Sequence, residues 1–158
     1  MIPAHTRKFL WTRTMLTAAV AVFLATVVSV VDDGGVLAPA VVSAQAQSET
    51  YKNVYDGWKW WHVYCYRCHG VDAIGTANAP NLSDPNEKMS ATEFLKIVRD
   101  GRPDKGMQAW DKLLDRKQVS EIHLYVRARS DKVLPPGRPD EVGANGKPWV
   151  PPAGWPKK

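Results

Sequence analysis

The chain has 158 residues, 44% of them hydrophobic, and a formal net charge of +5. This length is typical of one domain, and the composition allows one modest core. The charge excess is too mild, and too scattered along the chain, for a nucleic-acid-binding protein. Only two cysteines occur, whereas a scaffold stapled by disulfides normally has more.

Residues 1–46 are predicted to be an export signal. Three basic side chains come first, residues 15–31 form an apolar run, and small residues follow up to Ala46. A basic head, an apolar middle and a small-x-small site are the three parts of such a signal, so we place cleavage after Ala46. The alternative is an uncleaved anchor, because this apolar run is at the short end of what spans a bilayer. In both cases the remainder of the chain is exported.

The first predicted helix covers roughly residues 55–64 and ends at a pair of cysteines. Aromatic side chains recur along it at helical spacing. They are Tyr55, Trp58, Trp61 and Tyr64.

Two further helices are predicted over roughly residues 91–100 and 116–129. Ser90, with a glutamate three positions later, is typical of a capping box, and Gly101 is a stop signal. Asp115 is the predicted N-cap of the last helix, where apolar residues recur at three- and four-residue steps. No segment alternates with a period of two, so we expect an all-α protein. The loop over residues 70–89 is long enough to suggest that a bound group fills it.

The sequence Cys-Tyr-Arg-Cys-His at residues 65–69 predicts attachment of one covalent haem c. Residues three apart share a face at the end of a helix. Cys65 and Cys68 can therefore each add to one vinyl group of the same porphyrin. His69 directly follows and can turn its imidazole onto the iron.

Three other interpretations of the cysteine pair compete with haem attachment. A zinc site would need further ligands at suitable spacing, and no second motif supplies them. A thioredoxin-like redox pair would follow a strand, which the pattern does not show. The third interpretation is two buried cysteines with no chemical role. Export favours haem, because haem c is attached outside the cytoplasm.

Residues 51–130 resemble the class I monohaem cytochromes c. The resemblance is carried by the attachment motif, by the glycines that follow it, and by Ala-Pro-Asn-Leu at residues 79–82. It implies a cytochrome c fold with three main helices and long loops around the haem. In this family a proline carbonyl accepts the ring N–H of the proximal histidine, so Pro80 would serve His69. Leu82 and Trp110 would contact the haem.

The export pattern, the resemblance and the prolines after residue 131 together predict three parts. They are the signal at 1–46, a haem domain at 47–130 and a Pro-rich extended tail at 131–158. The family packs its first and last helices at a close crossing. A small residue and an aromatic residue mark that crossing, and here they are Gly57 and Trp61, facing Ile122 and Tyr125.

Class I cytochromes complete the iron coordination with methionine, which here would be Met107. It lies in a Gly-Met-Gln-Ala-Trp segment similar to the family's Gly-Met-Pro-x-Trp, with Gln108 in place of proline. The rival ligands are Met89, His62 and His123. Met89 lies too close to the motif, His62 would have to double back, and His123 is expected at the surface of the last helix.

Several segments together resemble the cytochrome cL group, which serves quinoprotein alcohol and methanol dehydrogenases. They are residues 61–62, 79–80, 93–95, 107–110 and 125–131. The resemblance implies a periplasmic, monomeric one-electron carrier that is not an enzyme and binds neither nucleic acid nor a small-molecule substrate. Its donor would be a dehydrogenase containing pyrroloquinoline quinone, and its acceptor a cytochrome or an oxidase. The alternatives are a general carrier between a bc1-type complex and a terminal oxidase, and a haem enzyme or gas sensor with an open sixth position.

Overall fold

The described part of the chain is helical. A computed structural model describes residues 39–141 and 146–157, so the predicted signal before Pro39 lies outside the described residues. The helices, in chain order, are α1 (Pro39–Tyr64), α2 (Tyr66–His69), α3 (Ala91–Asp100) and α4 (Arg116–Ser130), with 3-10 turns at Val71–Ala73 and Pro103–Lys105. In these ranges, β pairing is limited to one isolated bridge between Arg102 and Met107. The all-α prediction is confirmed.

Helices α1 and α4 cross closely at Gly57. A Cβ atom at this position would lie 2.0 Å from the carbonyl oxygen of Glu121 and 3.0 Å from the amide nitrogen of Ile122. Next to this contact, the rings of Trp61 and Tyr125 pack with their centroids 5.9 Å apart. Both side chains are fully buried. The predicted crossing is therefore confirmed.

Local capping sets the bounds of the two later helices. The Ser90 side chain accepts from the backbone N–H of Glu93, and Gly101 ends α3 in a left-handed conformation with φ of +71°. At the start of α4, Asp115 and Gln118 form a reciprocal capping box. These bonds satisfy backbone donors that the first turn of a helix leaves unpaired. The predicted caps and ends agree with the structure to within one residue.

Helix α1 begins at Pro39, so its predicted start near residue 55 was wrong. The aromatic stripe used for the prediction covers only the second half of the helix. The earlier half contains alanine and glutamine, which favour a helix without an apolar stripe. Residues 43–46 are exposed, and the amide of Gln47 donates to the carbonyl of Pro151 over 3.1 Å.

The described residues after Asp131, 132–141 and 146–157, are irregular and pack back onto the helices. Leu134, Pro139 and Pro151 are almost fully buried. The indole N–H of Trp149 donates to the carbonyl of Val133 over 2.7 Å. The described Pro-rich segment therefore contributes buried surface to the same core. No helix among residues 39–141 and 146–157 has the length and hydropathy of a membrane span.

Candidate haem site

The two cysteines lie where α1 turns into α2. Cys65 closes the last turn of α1, since its N–H donates to the carbonyl of Trp61 over 2.8 Å, and its own carbonyl accepts from His69 over 3.0 Å. Both thiols are free, with Cys65 half-buried and Cys68 exposed. One turn of backbone therefore carries both thiols and the imidazole.

The imidazole of His69 is oriented by the loop that follows it. Its Nδ1 lies 3.1 Å from the carbonyl oxygen of Pro80. With the proton on Nδ1 the ring donates to this oxygen, which leaves Nε2 free for a metal. Such a bond fixes the tautomer and raises the basicity of the imidazole. The structure thus brings together the two residues that the resemblance had paired.

A glycine allows the loop to come this close. Gly75 has a φ of +81°, and a Cβ atom there would lie 2.6 Å from the amide nitrogen of Asn81. Any side chain at Gly75 would push the segment carrying Pro80 away from the turn after His69. The amide of Gly75 also donates to the carbonyl of His69 over 2.8 Å.

Two supporting contacts were not predicted from the sequence. The indole N–H of Trp61 donates to the carbonyl of Gly70 over 3.0 Å, and its ring centroid lies 5.8 Å from that of His69. The hydroxyl of Thr76 donates to the carbonyl of Cys68 over 2.5 Å. The sequence pattern predicts only a packing role for Trp61, and Thr76 carries no local sequence signal, because its partner is eight residues away.

Met107 lies in a short reversed segment after α3. Its backbone pairs with Arg102 in both directions, at 2.8 and 3.0 Å, and its side chain is half-buried against the core. Trp110 anchors the end of the segment, because its backbone N–H donates to the carbonyl of Val98 over 3.0 Å. The Trp110 ring meets Tyr64 edge-on at 5.7 Å, which places this segment against the cysteine end of α1.

The rival histidines are engaged elsewhere. Nδ1 of His62 lies 2.8 Å from the carbonyl of Trp58 on its own helix. Nε2 of His123 lies 3.2 Å from the carbonyl of Met89, and its ring packs at 5.1 Å against Phe94. The expectation that His123 lies at the surface was wrong, because it is half-buried between α3 and α4. Burial lowers its pKa.

The residues around the motif suit a haem. The candidate donors are two thiols, one oriented imidazole and the thioether of Met107, which are the kinds of group that hold haem c. Val71 and Ile74, directly after the motif, are 54% and 59% exposed and offer apolar surface to a flat ring. Leu82 is half-buried, and its amide donates to the carbonyl of Ala73.

The other interpretations of the cysteine pair gain no support. Over the described ranges, no three His, Cys, Asp or Glu side chains gather as metal ligands, so a zinc site lacks donors there. Burial raises the pKa of Cys65 to about 12. A redox-active thiol instead needs a lowered pKa in an electropositive, partly exposed setting.

Comparison with known proteins points in the same direction. The family model described as "Cytochrome C oxidase, cbb3-type, subunit III" matches residues 52–126. Cytochrome c-555 of Methylococcus capsulatus is 32% identical over 109 residues, which cover 66% of this chain and 80% of that protein. The quinohemoprotein alcohol dehydrogenase ADH-IIG of Pseudomonas putida is 30% identical over 92 residues, or 58% of this chain and 12% of the dehydrogenase.

One solved structure is similar in both sequence and fold. It is the c-type cytochrome XoxG from Methylobacterium extorquens AM1, with 28% identity and a TM-score of 0.51. The match covers 56% of this chain and 57% of XoxG. The chain therefore spans a little over half of that cytochrome and a small part of the dehydrogenase.

Proposed function

The chain belongs to the cytochrome c family and is an electron carrier with covalently bound haem c, and we propose that it accepts electrons from a quinoprotein alcohol dehydrogenase in the periplasm. The electrons would then pass to another cytochrome or to an oxidase. The observation that carries the proposal is the similarity to both a cytochrome and a segment of a quinohemoprotein alcohol dehydrogenase.

Four residues would hold the haem. Cys65 and Cys68 would form the thioethers, and His69 and Met107 would bind the iron. When bound, the haem supplies a one-electron couple whose potential depends on these axial ligands. Methionine as the second iron ligand would raise that potential relative to a second histidine, and an iron that binds both residues would leave no position for a substrate.

The chain's own residues would keep the ligand field constant during transfer. Pro80 holds the imidazole of His69 through the 3.1 Å contact at Nδ1. Trp110 packs on Tyr64 and stabilises the segment that carries Met107. A rigid ligand set suits electron transfer, because little reorganisation then accompanies the change of oxidation state.

Haem attachment is tested on protein produced in a host with haem-c maturation. After denaturation the polypeptide should keep its haem, with a mass one haem above that of the apoprotein. A Cys65→Ala, Cys68→Ala double variant is the control and should release its haem into acidified organic solvent. A haem-free mass for the original chain would contradict the proposal.

The donor is tested by stopped-flow spectroscopy. Oxidised cytochrome is mixed with a purified quinoprotein alcohol dehydrogenase and an alcohol, and the haem absorbance is followed. Rapid reduction that needs the alcohol is the expected result. Residues 47–158 carry 18 basic and 14 acidic side chains, and this excess of +4 predicts that the rate falls with added salt if the donor surface is acidic. Absence of reduction by the dehydrogenase, with rapid reduction by a bc1-type complex, would contradict the assignment of the donor.

A second candidate is a general carrier that takes electrons from a bc1-type complex and delivers them to a terminal oxidase. The match of residues 52–126 to the family described for subunit III of a cbb3-type oxidase favours it. The two candidates differ in the donor, so reduction of the oxidised cytochrome by a bc1-type complex, and not by the dehydrogenase, would favour the second. Carbon monoxide should not bind the reduced cytochrome, because Met107 would occupy the sixth position.

A further inference from the structure

Arg129 is a buried cation on α4. The other arginines of residues 39–141 are exposed or half-buried. Arg129 is 8% exposed. Nη1 donates to the carbonyl of Leu134 over 2.8 Å, and Nε donates to the carbonyl of Asp72 over 3.3 Å. Nη2 lies 3.7 Å from Oδ1 of Asp72. Burying a guanidinium costs several kcal/mol of desolvation, so an apolar side chain would pack this position at lower cost.

The contacts of Arg129 stabilise a strained turn just after the attachment motif. Asp72 and Ala73 have φ values of +59° and +62°, in the left-handed region that costs a residue with a side chain free energy. Such a conformation persists only when the surroundings hold it. The guanidinium holds the backbone and side chain of Asp72 from one side.

The same turn holds the segment that carries Pro80. The carbonyl of Ala73 accepts from the amides of Leu82 and Ser83, at 2.9 and 3.1 Å. The contacts therefore run from Arg129 to Asp72, through Ala73 to Leu82, and then two residues back along the chain to Pro80. At its end is the carbonyl that accepts from His69.

We propose that Arg129 is a positioning residue for the proximal ligand, because it fixes the loop that presents the Pro80 carbonyl to Nδ1–H of His69. The inference rests on the proposed binding of haem by His69. Arg129 acts on His69 indirectly, through the loop that carries Pro80. A well-placed carbonyl makes the imidazole more basic, which favours ferric iron.

The start of the tail belongs to the same cluster. The amide of Gly137 donates to Oδ1 of Asp72 over 2.9 Å, and Leu134 supplies a carbonyl to Arg129. The carboxylate of Asp72 thus joins the turn after the motif to the chain that follows α4. The tail thereby helps to hold the proximal loop.

Arg129→Lys in the holoprotein tests the proposal, since it keeps the charge and removes the fork that reaches two carbonyls. The readout is the solvent exchange of the hyperfine-shifted Nδ1 proton of His69, measured by NMR on ferric protein. We expect about tenfold faster exchange, equivalent to about 1.4 kcal/mol less protection, together with a higher midpoint potential. Arg127→Lys is the matched control, because Arg127 forms an ion pair with Asp131 and donates to the backbone carbonyl of Lys157, away from the turn. It should change neither readout.

Exchange within twofold of the original protein in folded Arg129→Lys holoprotein would overturn the inference. If that variant does not accumulate, Asp72→Asn is measured in its place, since asparagine tolerates the left-handed conformation. It should also speed the exchange, and an unchanged rate there would equally overturn the inference. A wild-type spectrum without a hyperfine-shifted His69 would refute the proposed ligation and this inference with it. Failure of the dehydrogenase to reduce the haem would refute only the donor.

Discussion

Replacing Gly57 with alanine should destabilise the fold, although alanine is the better helix former. The new Cβ would lie 2.0 Å from the carbonyl oxygen and 2.4 Å from the carbonyl carbon of Glu121, whereas ordinary contacts are at about 3.5 Å. Both are backbone atoms in the middle of α4, so no rotamer change can relieve the overlap. The helices would have to separate, which loosens the packing of Trp61 on Tyr125.

The expected magnitude follows from two opposing effects. Overpacking of this kind lowers the free energy of unfolding by about 3 kcal/mol, the upper end of its usual range. The higher helix propensity of alanine raises it by about 1 kcal/mol. We expect the free energy of unfolding to fall by about 2 kcal/mol. Urea unfolding of the holoprotein, followed by far-UV circular dichroism, measures it. Ser120→Ala, an exposed change on α4, is the control and should be neutral or slightly stabilising. A Gly57→Ala protein that is more stable by about 1 kcal/mol would refute the close crossing.

Three further predictions concern the ligand, the buried histidine and processing. Met107→Ala should lower the midpoint potential and abolish the weak near-infrared-edge band of methionine-ligated ferric haem. Met89→Ala should do neither. The reverse pattern would show that Met89, and not Met107, is the iron ligand. Burial lowers the pKa of His123, so the folded protein favours the neutral imidazole. This preference stabilises the fold above the pKa of the unfolded chain, about 6.5. The stabilisation is lost as the pH falls through the lower pKa of the folded protein. Unfolding of His123→Gln should therefore depend less on pH below about 6.5, and parallel profiles would contradict this. The purified periplasmic protein should begin near Gln45 or Gln47 by mass spectrometry, and an intact N-terminus would favour the anchor.

Local signals in the sequence determined the ends of α3 and α4. Ser90 and Asp115 act through bonds to backbone amides three residues away, so the information needed lies within one helical turn. Attachment of haem was predicted in the same way, since two thiols and an imidazole within five residues carry the chemistry. The cytochrome c family assignment is confirmed by the comparisons, whereas the individual haem-binding residues stay predictions.

Contacts between distant parts of the chain were decided only by the tertiary structure. The early half of α1 has no apolar stripe of its own, and its contact from Gln47 to Pro151 joins residues about a hundred positions apart. Arg129 lies four residues after Tyr125, on the buried face of α4. This spacing predicts that Arg129 is buried, but it does not identify Asp72 as its partner. Short-range bonds depend on residue types a turn apart, and these can be read along the chain. Long-range hydrogen bonds depend on where the loops pack against the helices. A strained turn such as the one at Asp72 exists only because the packed core around it supplies the compensating contacts.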